Sequence, residues 1–546
     1  MRRFRRDRVL RILVLASLTC ASTPVLAGDA SKGDAPHFQT SDRCIACHNG
    51  MATASGEPFS IGIDWRASIM ANSARDPYWQ ASVRREITDH PAARVQIEDS
   101  CADCHMPMSR TEAKLRGKPG AVFAHLPGDP RKPEDLQALD GVSCALCHQI
   151  TAQKLGTPES FSGGFVVTQP DAAGVHPEFG PFEIDSGRAR IMESSTGGFR
   201  PTQGDHIRQS ELCATCHTLI TNSLGPDGKP LGAFPEQVPF QEWLHSDYRN
   251  QQSCQGCHMP LVQEETPIVR VLGVNRSGVA RHEFVGANFF MQRLLARHHD
   301  ELDVRAEPLE LTVAADRTVQ FLQTRAARVS IDPPQLRRGR LESIVSVENL
   351  GGHKLPTAYP SRRAWLHVLV RDRNGGKVFE SGALDPDGSI RGNDNDADPT
   401  RYEPHHTEIR SSDQVQIYES ILRDSAGAVT TGLISTVGYL KDNRLLPHGF
   451  DKSTAAADIA VHGEAAQDPA FGPQGHQIRY SVDVAGAPGP FQVEAEFWYQ
   501  PIGFRWASNL KSYDSAEPRR FNAYFDSMGG GSAVVLARSC APTPCP

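Results

Sequence analysis

The chain has 546 residues, 39% hydrophobic and 22% charged, and its 64 acidic against 57 basic residues give a formal net charge of −7. Residues 1–27 hold six arginines and one aspartate, so the remainder stands at −12. That balance disfavours nucleic acid and anionic lipid as partners, while the length leaves room for more than one domain.

The first element is an export signal over residues 1–27. Arg2, Arg3, Arg5, Arg6, Arg8 and Arg11 precede an apolar stretch from Ile12, and Val25-Leu26-Ala27 makes a small-residue cleavage site before Gly28. The apolar stretch is broken by Ser, Thr, Cys and Pro and falls short of the roughly 20 residues a membrane span needs. An uncleaved anchor is the alternative. No later run is long enough to cross a bilayer, so no transmembrane span is expected after cleavage. Cys20 follows Ser17-Leu18-Thr19, a poor lipidation context.

Five copies of Cys-x-x-Cys-His come next: CIACH at 44–48, CADCH at 101–105, CALCH at 144–148, CATCH at 213–217 and CQGCH at 254–258. Random placement of 13 Cys and 21 His would give about 0.01 such matches to the c-type haem attachment pattern. Two cysteines three apart lie on one side of a helical turn, where each sulfur reaches one vinyl group of a haem, and the next histidine meets the iron. Structural zinc would pair half-sites evenly and explains neither five copies nor the constant histidine. A disulfide framework needs no histidine. The expected cofactors are five covalently bound haem c groups, each with its iron. They are held by Cys44 and Cys47, Cys101 and Cys104, Cys144 and Cys147, Cys213 and Cys216, and Cys254 and Cys257. His48, His105, His148, His217 and His258 are the expected proximal ligands. First cysteines are separated by 57, 43, 69 and 41 residues, which excludes a regular repeat array.

The fold expected is α+β. Residues 28–325 form an irregular, mostly helical pentahaem domain, with helices over "DPYWQASVRREITDH" and "NFFMQRLLARHHDEL". Residues 326–546 form an antiparallel β-sandwich, Ig-like in general shape. Val345 and Val347 share one face of "LESIVSVENLGG", Asn374-Gly375 signals a hairpin in "RRAWLHVLVRDRNGGKVFESG", and "FQVEAEFWYQ" alternates. Gly529–Ser532 read as a flexible joint. Cys540 and Cys545 are either a local disulfide or two free thiols.

Distal ligands decide whether a haem only carries electrons or also binds a small molecule. His206, before the fourth motif, and His90 and His125, flanking the second, are candidates by position. His245 is a weaker one. His37 and His176 read as loop histidines, and His298-His299 as residues that favour a helix C-terminus.

With these residues in place, the chain resembles the multihaem c-type cytochromes, the class that includes the tetrahaem cytochromes of nitrifying bacteria. The likeness is carried by the five motifs, "DWRASIMANSARDPYW", "CADCHMPM", "CQGCHMPL", "RHEFVGANFF" and "GGHKLPTAYPSRRAWL". It implies periplasmic or cell-surface electron transfer in a Gram-negative bacterium. The implied partner is a redox protein, another cytochrome or a membrane-associated donor or acceptor. It also implies distal roles for His282, in "RHEFVGA", and for His353, in "GGHKLPT". Related chains carry a distal histidine in Trp-x-x-Ser-x-His where this one has Met70, which either takes over that role or leaves the iron coordinated differently. The chain is therefore expected to be an electron carrier more than a substrate-converting enzyme. The alternative is a multihaem oxidoreductase acting on a small nitrogen or oxygen compound at one open-face haem. No Cys-x-x-Cys-Lys, the variant that resembles the catalytic site of pentahaem nitrite reductases, is present.

Overall fold

The computed structural model describes residues 36–542, so the expected export signal, its cleavage site, Cys20 and Cys545 lie outside the described residues. Contacts divide the chain into Met1–His37, of which only Pro36 and His37 are described, and Phe38–Pro546, to which everything below belongs.

Asp76 starts the helix Pro77–Asp89 by accepting from the backbone N–H groups of Tyr78 and Trp79 at 2.8 and 3.1 Å, and Pro77 fills the first turn where no donor is needed. The second expected helix is Phe289–Arg297, which buries Phe289, Phe290, Leu294 and Leu295 on its way to a C-cap at His298. Each Cys-x-x-Cys-His motif makes or ends one helical turn. The helices are Asp42–Ile45, Arg94–His105, Cys144–Gln149, Ser210–Ala214 and Cys254–His258. The backbone N–H of His48 donates to the carbonyl of Cys44 and that of His217 to Cys213, both at 2.9 Å. Two strand pairs interrupt this half: His176–Gly180 runs parallel to Phe199–Gln203, and Leu219–Leu224 pairs antiparallel with Pro230–Gln237.

The expected strands of the second half lie in two mainly antiparallel sheets. One runs Lys377–Ser381, Arg363–Arg371, Gln492–Gln500, Val534–Ala541. The other runs Glu408–Ile409, Gly475–Asp483, Arg340–Asn349, Ala327–Ile331, its first pair parallel. Along Arg340–Asn349 every second residue is buried, from Leu341 through Val345 and Val347 to Asn349. The sheets face each other: Phe379 meets Tyr480 at 6.4 Å between ring centroids, and Tyr418 Oη lies 3.0 Å from His476 Nδ1. Arg363–Arg371 is buried on both faces, because Trp365 stacks on Trp498 under Ile390 and Val415 on the side away from the shared core.

Residues 529–532 are not a flexible joint. Gly529–Gly531 form a 3₁₀ turn, a Cβ on Gly529 would fall 2.6 Å from the carbonyl oxygen of Asp387, and Ser532 is fully buried against Gln500. Cys540 is disulfide-bonded.

Two helices join the halves. Pro308–Arg325 buries Leu311, Ala315, Thr318 and Leu322 along one stripe and leads into strand Ala327–Ile331. Ala516–Met528 returns from the second half to pack on Pro77–Asp89. There Phe521 lies 5.0 Å from Tyr78, Arg84 pairs with Glu517 at 2.8 Å, and Arg520 bonds Gln80. One buried apolar cluster therefore runs from Tyr78, Phe289 and Leu294 through Leu322 to Val345, Leu366 and Phe497.

Candidate functional site

All five motif histidines line one continuous cavity of about 2270 Å³. An ordinary small-molecule pocket is about 300–1,000 Å³, so this space suits several large ligands side by side. Nine of the ten motif cysteines line it too. The tenth, Cys101, is packed against the apolar group around Trp79, Ile97 and Met106.

The backbone fixes the histidines. Nδ1 of His48 lies 2.7 Å from the carbonyl oxygen of Ile268, that of His105 3.0 Å from Ser73 O, that of His148 2.5 Å from Phe179 O, and that of His258 2.5 Å from Val285 O. A carbonyl only accepts, so Nδ1 carries the proton and Nε2 keeps its lone pair toward the cavity, the arrangement a metal-ligating histidine needs. Burial holds these imidazoles neutral: His105 and His258 are pushed down to about 4, and His48, His148 and His217 are lowered from the usual histidine value.

Two of the candidate distal residues face a motif histidine. The rings of His148 and His282 have centroids 6.4 Å apart at an interplanar angle of 18°, and those of His258 and His353 are 6.2 Å apart at 7°. His282 is pushed down to about 3, by burial first and by the neighbouring His148 second. Its Nδ1 is held by the carbonyl of Ala280 at 3.2 Å, and that of His353 by the carbonyl of Lys354 at 3.0 Å. Met70 lines the same cavity.

The other three candidates lie elsewhere. His90 caps the helix Pro77–Asp89 and meets Ser435 Oγ through Nε2 at 3.0 Å. Both ring nitrogens of His125 are engaged, by Asp135 at 2.7 Å and Ser109 at 3.1 Å. His206 Nε2 donates to the carbonyl of Ile150 at 2.8 Å. None of these three lines the cavity. His245 is engaged by the carbonyl of Asp451 at 3.0 Å, and His298 stacks on Tyr524 at 3.6 Å.

The sulfurs show how the motifs adjoin. The thiols of Cys44 and Cys144 interact directly, as do those of Cys104 and Cys216 and those of Cys213 and Cys254. Cys147 also lies within electrostatic reach of Cys213 and Cys216. The first motif thus adjoins the third, the third adjoins the fourth, and the fourth touches both the second and the fifth.

The chain is similar in fold to a solved multihaem cytochrome. The crystal structure of a penta-heme cytochrome c552 from Thermochromatium tepidum superposes with a TM-score of 0.53 at 16% identity, over 92% of this chain and 99% of that one. No protein-family model and no curated protein matches the sequence. The multihaem cytochrome fold, mixed α and β, thus extends through both halves.

The motif cysteines and the lone pairs turned into a shared, mostly apolar space fit covalently bound haem. A second histidine cluster does not fit a metal. His405, Asp468 and His476 are buried within 4.8 Å of one another. The amides of Asn443 and Gln416 both approach His405 Nδ1, at 3.1 and 3.3 Å, and their own oxygens accept from the backbone of Glu419 and His406. His405 Nδ1 is therefore an acceptor, and its proton sits on Nε2, donated to Asp468 Oδ2 at 3.0 Å. Among the described residues no helix is long and apolar enough to cross a membrane.

Proposed function

We propose that the chain is an exported pentahaem c-type cytochrome that carries electrons between partners in the periplasm or at the surface of a Gram-negative cell. The observation that supports it best is the single cavity lined by all five motif histidines, four of which are held through Nδ1 so that Nε2 is left free to ligate. Bound haem supplies one-electron iron chemistry and closely spaced aromatic edges for electron transfer.

The chain's own residues hold and tune those groups. The ten cysteines anchor them, and His48, His105, His148, His217 and His258 present neutral imidazoles. His282 and His353 are proposed as the sixth ligands opposite His148 and His258. Two imidazoles on one metal, with bonds of about 2.0–2.1 Å and ring centroids about 1.1 Å behind the nitrogens, stand about 6.3 Å apart. The rings here are 6.4 and 6.2 Å apart. Met70 keeps its proposed distal role. The sulfur contacts support an order in which the first, third and fourth motifs follow one another, with the second and fifth branching from the fourth. The second half, read as an Ig-like sandwich in general shape, then supplies the ligand His353. A redox protein, another cytochrome or a membrane-associated donor or acceptor, is the proposed partner.

Denaturing mass spectrometry of the mature protein tests this reading. The mass should be that of the chain from Gly28 plus five haems, and changing Cys144 and Cys147 together to Ala should remove one. Four or fewer haems in fully matured protein would overturn it.

One observation favours a second reading, an oxidoreductase for a small nitrogen or oxygen compound at the fourth motif. Among the described residues no histidine ring stacks opposite His217, as none does opposite His48 or His105, and His217 alone of the five has no carbonyl partner at Nδ1. Arg362 lies near enough to depress His217, has no carboxylate partner among the described residues, and also lines the cavity. Beside it the hydroxyl of Tyr499, buried and lining the cavity, has no hydrogen-bond partner among the described residues. Low-temperature electron paramagnetic resonance separates the readings. A high-spin iron that shifts on adding azide, and keeps its shape but loses the shift in Arg362→Gln, favours the oxidoreductase; an all-low-spin spectrum favours the carrier.

A further inference from the structure

Four charged side chains are buried together beside His353. Lys354 and Glu242 are 0% exposed, Asp442 1% and Arg444 5%. Lys354 Nζ donates to Asp442 Oδ2 at 2.7 Å and to the carbonyl of Ala460 at 3.1 Å. Arg444 donates to both oxygens of Asp442 at 2.8 Å, and its other terminal nitrogen lies 3.0 Å from Glu242 Oε1. Glu242 Oε2 accepts from the backbone N–H of Lys354 at 3.1 Å and from Thr357 Oγ1 at 2.5 Å. Two cations balance two anions, and the main donors have partners.

Such a cluster is a poor source of stability. Desolvating four ions costs several kcal/mol each in general, and apolar packing of the same volume is often as good or better. What ion clusters do supply, in the best-attested cases, is one geometry. Glu242 sits on the helix Pro239–Leu244 of the motif-bearing half. Asp442 ends the strand Gly438–Asp442 of the other half, and Lys354 follows His353 directly. The carboxylate of Glu242 therefore grips, from across the chain, the peptide that joins His353 to Lys354.

Other contacts converge on the same turn. Asn349 Nδ2 donates to the carbonyl of His353 at 2.7 Å and to that of Leu445 at 3.1 Å. Tyr248, also from the motif-bearing half, donates its hydroxyl to the carbonyl of Leu350 at 2.8 Å. A Cβ on Gly352 would lie 3.1 Å from the Tyr248 ring, so the two elements meet closely enough that a side chain there would make one of them give. The His353 ring is thereby held 6.2 Å from His258 and within 7° of its plane.

We propose that Glu242, Arg444, Asp442 and Lys354 are positioning residues: a buried, charge-balanced cluster that fixes where His353 stands opposite His258 and so sets the coordination and potential of the haem on the fifth motif. This deepens the proposed function and rests on its His258–His353 pairing. None of the four lines the cavity, so they would act through the turn that carries the ligand.

The test uses the full-length, haem-loaded protein and reads spin state and potential by iron. Near-parallel imidazoles interact with the same iron d orbital and give a rhombic low-spin signal. In Glu242→Gln, one such signal should move toward an axial, large-g form or turn partly high-spin. One component of the redox titration should move with it, while five haems stay attached and the other components keep their midpoints. Glu242→Asp, which keeps the charge with a shorter reach, should give a smaller shift of the same component. A merely structural role would lower the melting temperature without singling out one iron. Should Glu242→Gln not mature, the charge-balanced pair Lys354→Met with Asp442→Asn carries the same expectation. His353→Ala separates the two levels. If it leaves every signal unchanged, the pairing itself falls. If it converts one iron while the cluster variants keep the parental spectrum and titration, the pairing stands and the positioning proposal is overturned.

Discussion

Replacing His282 by alanine should convert one iron in five, about a fifth of the total, from low to high spin. The expectation comes from distance and angle. The His148 and His282 rings stand 6.4 Å apart, within about 0.1 Å of the separation that two imidazoles on one metal require. No movement of either backbone is needed to complete the pair. The ring of His282 is aimed by the Ala280 carbonyl and braced by Phe284, edge-on at 5.7 Å. Alanine removes the ligand and leaves the apolar wall in place. The assay is quantitative electron paramagnetic resonance of the oxidised protein at low temperature, with carbon monoxide binding to the reduced protein as a second count of open sites. One rhombic low-spin signal should disappear, a high-spin signal of equal intensity should appear, and one carbon monoxide should bind per chain beyond the parent. His282→Met should keep that iron low-spin while raising one midpoint potential, since methionine stabilises the reduced state relative to histidine. A parental spectrum and titration in both variants would refute the pairing.

Met70→His should lower one midpoint in the redox titration if Met70 ligates, and a titration with no moving component would remove it from the ligand set. Phe521→Ala should cost about 3–5 kcal/mol, as for other fully buried phenylalanines. Glu517→Gln, which removes a partly exposed ion pair with Arg84, should cost at most about 1 kcal/mol; chemical denaturation followed by circular dichroism compares them, and equal costs would contradict the packing. Acid should weaken the sheet half. His405 is pushed down to about 3, mainly by burial, so it stays neutral when folded, and unfolding takes up a proton below the ordinary histidine value of 6.5. Its contribution is complete above about pH 6.5 and is lost as pH falls toward 3, about 2 kcal/mol by pH 5. Asp468, held below the usual carboxylate range by His476 and His405 against the effect of its own burial, loses its contribution in the same direction at lower pH. Urea unfolding at pH 7 and pH 5 should show a smaller drop for His405→Gln than for the parent, and equal drops would refute the assignment.

The residues proposed to hold haem are legible because their chemistry is contiguous: two cysteines and a histidine within one helical turn carry the whole signal. The proposed distal side is not, because His282 and His353 come from parts of the chain distant from His148 and His258. His90, His125 and His206 drew attention by lying near motifs in sequence, yet their ring nitrogens are turned to Ser435, to Asp135 and Ser109, and to Ile150. Nearness along the chain says nothing of the direction in which a ring points. His282 and His353 stood out only through a resemblance, and it is the sheets and the turn at Gly351-Gly352 that carry His353 to His258. The strands announced themselves by alternation where one face is buried, as in Arg340–Asn349, and less clearly in Arg363–Arg371, where Trp365 needs a second apolar layer. The helix Pro308–Arg325 is not among the expected elements, although its stripe of Leu311, Ala315, Thr318 and Leu322 has helical period, and its value as the joint between halves depends on what it packs against. The triple glycine misled because composition alone cannot distinguish a loose joint from a close approach of two backbones.

The same geometry bears on what the motif-bearing half has for a core. The cavity of about 2270 Å³ is lined largely by apolar side chains, so the surface that haem would cover stands in for part of that core. The other apolar groups of the motif-bearing half are smaller: one gathers around Trp79, Ile97 and Met106, one around Phe38 and Leu146, and one around Met51 and Phe59. The large group is the one shared with the sheets. Tyr78, Phe289 and Leu294 of the motif-bearing half thus complete a core whose larger part is built from the sheets. The turn bearing His353 is held on the sheet side by Asn349, whose amide also bonds Leu445, and on the other side by Glu242, which completes the charge-balanced cluster.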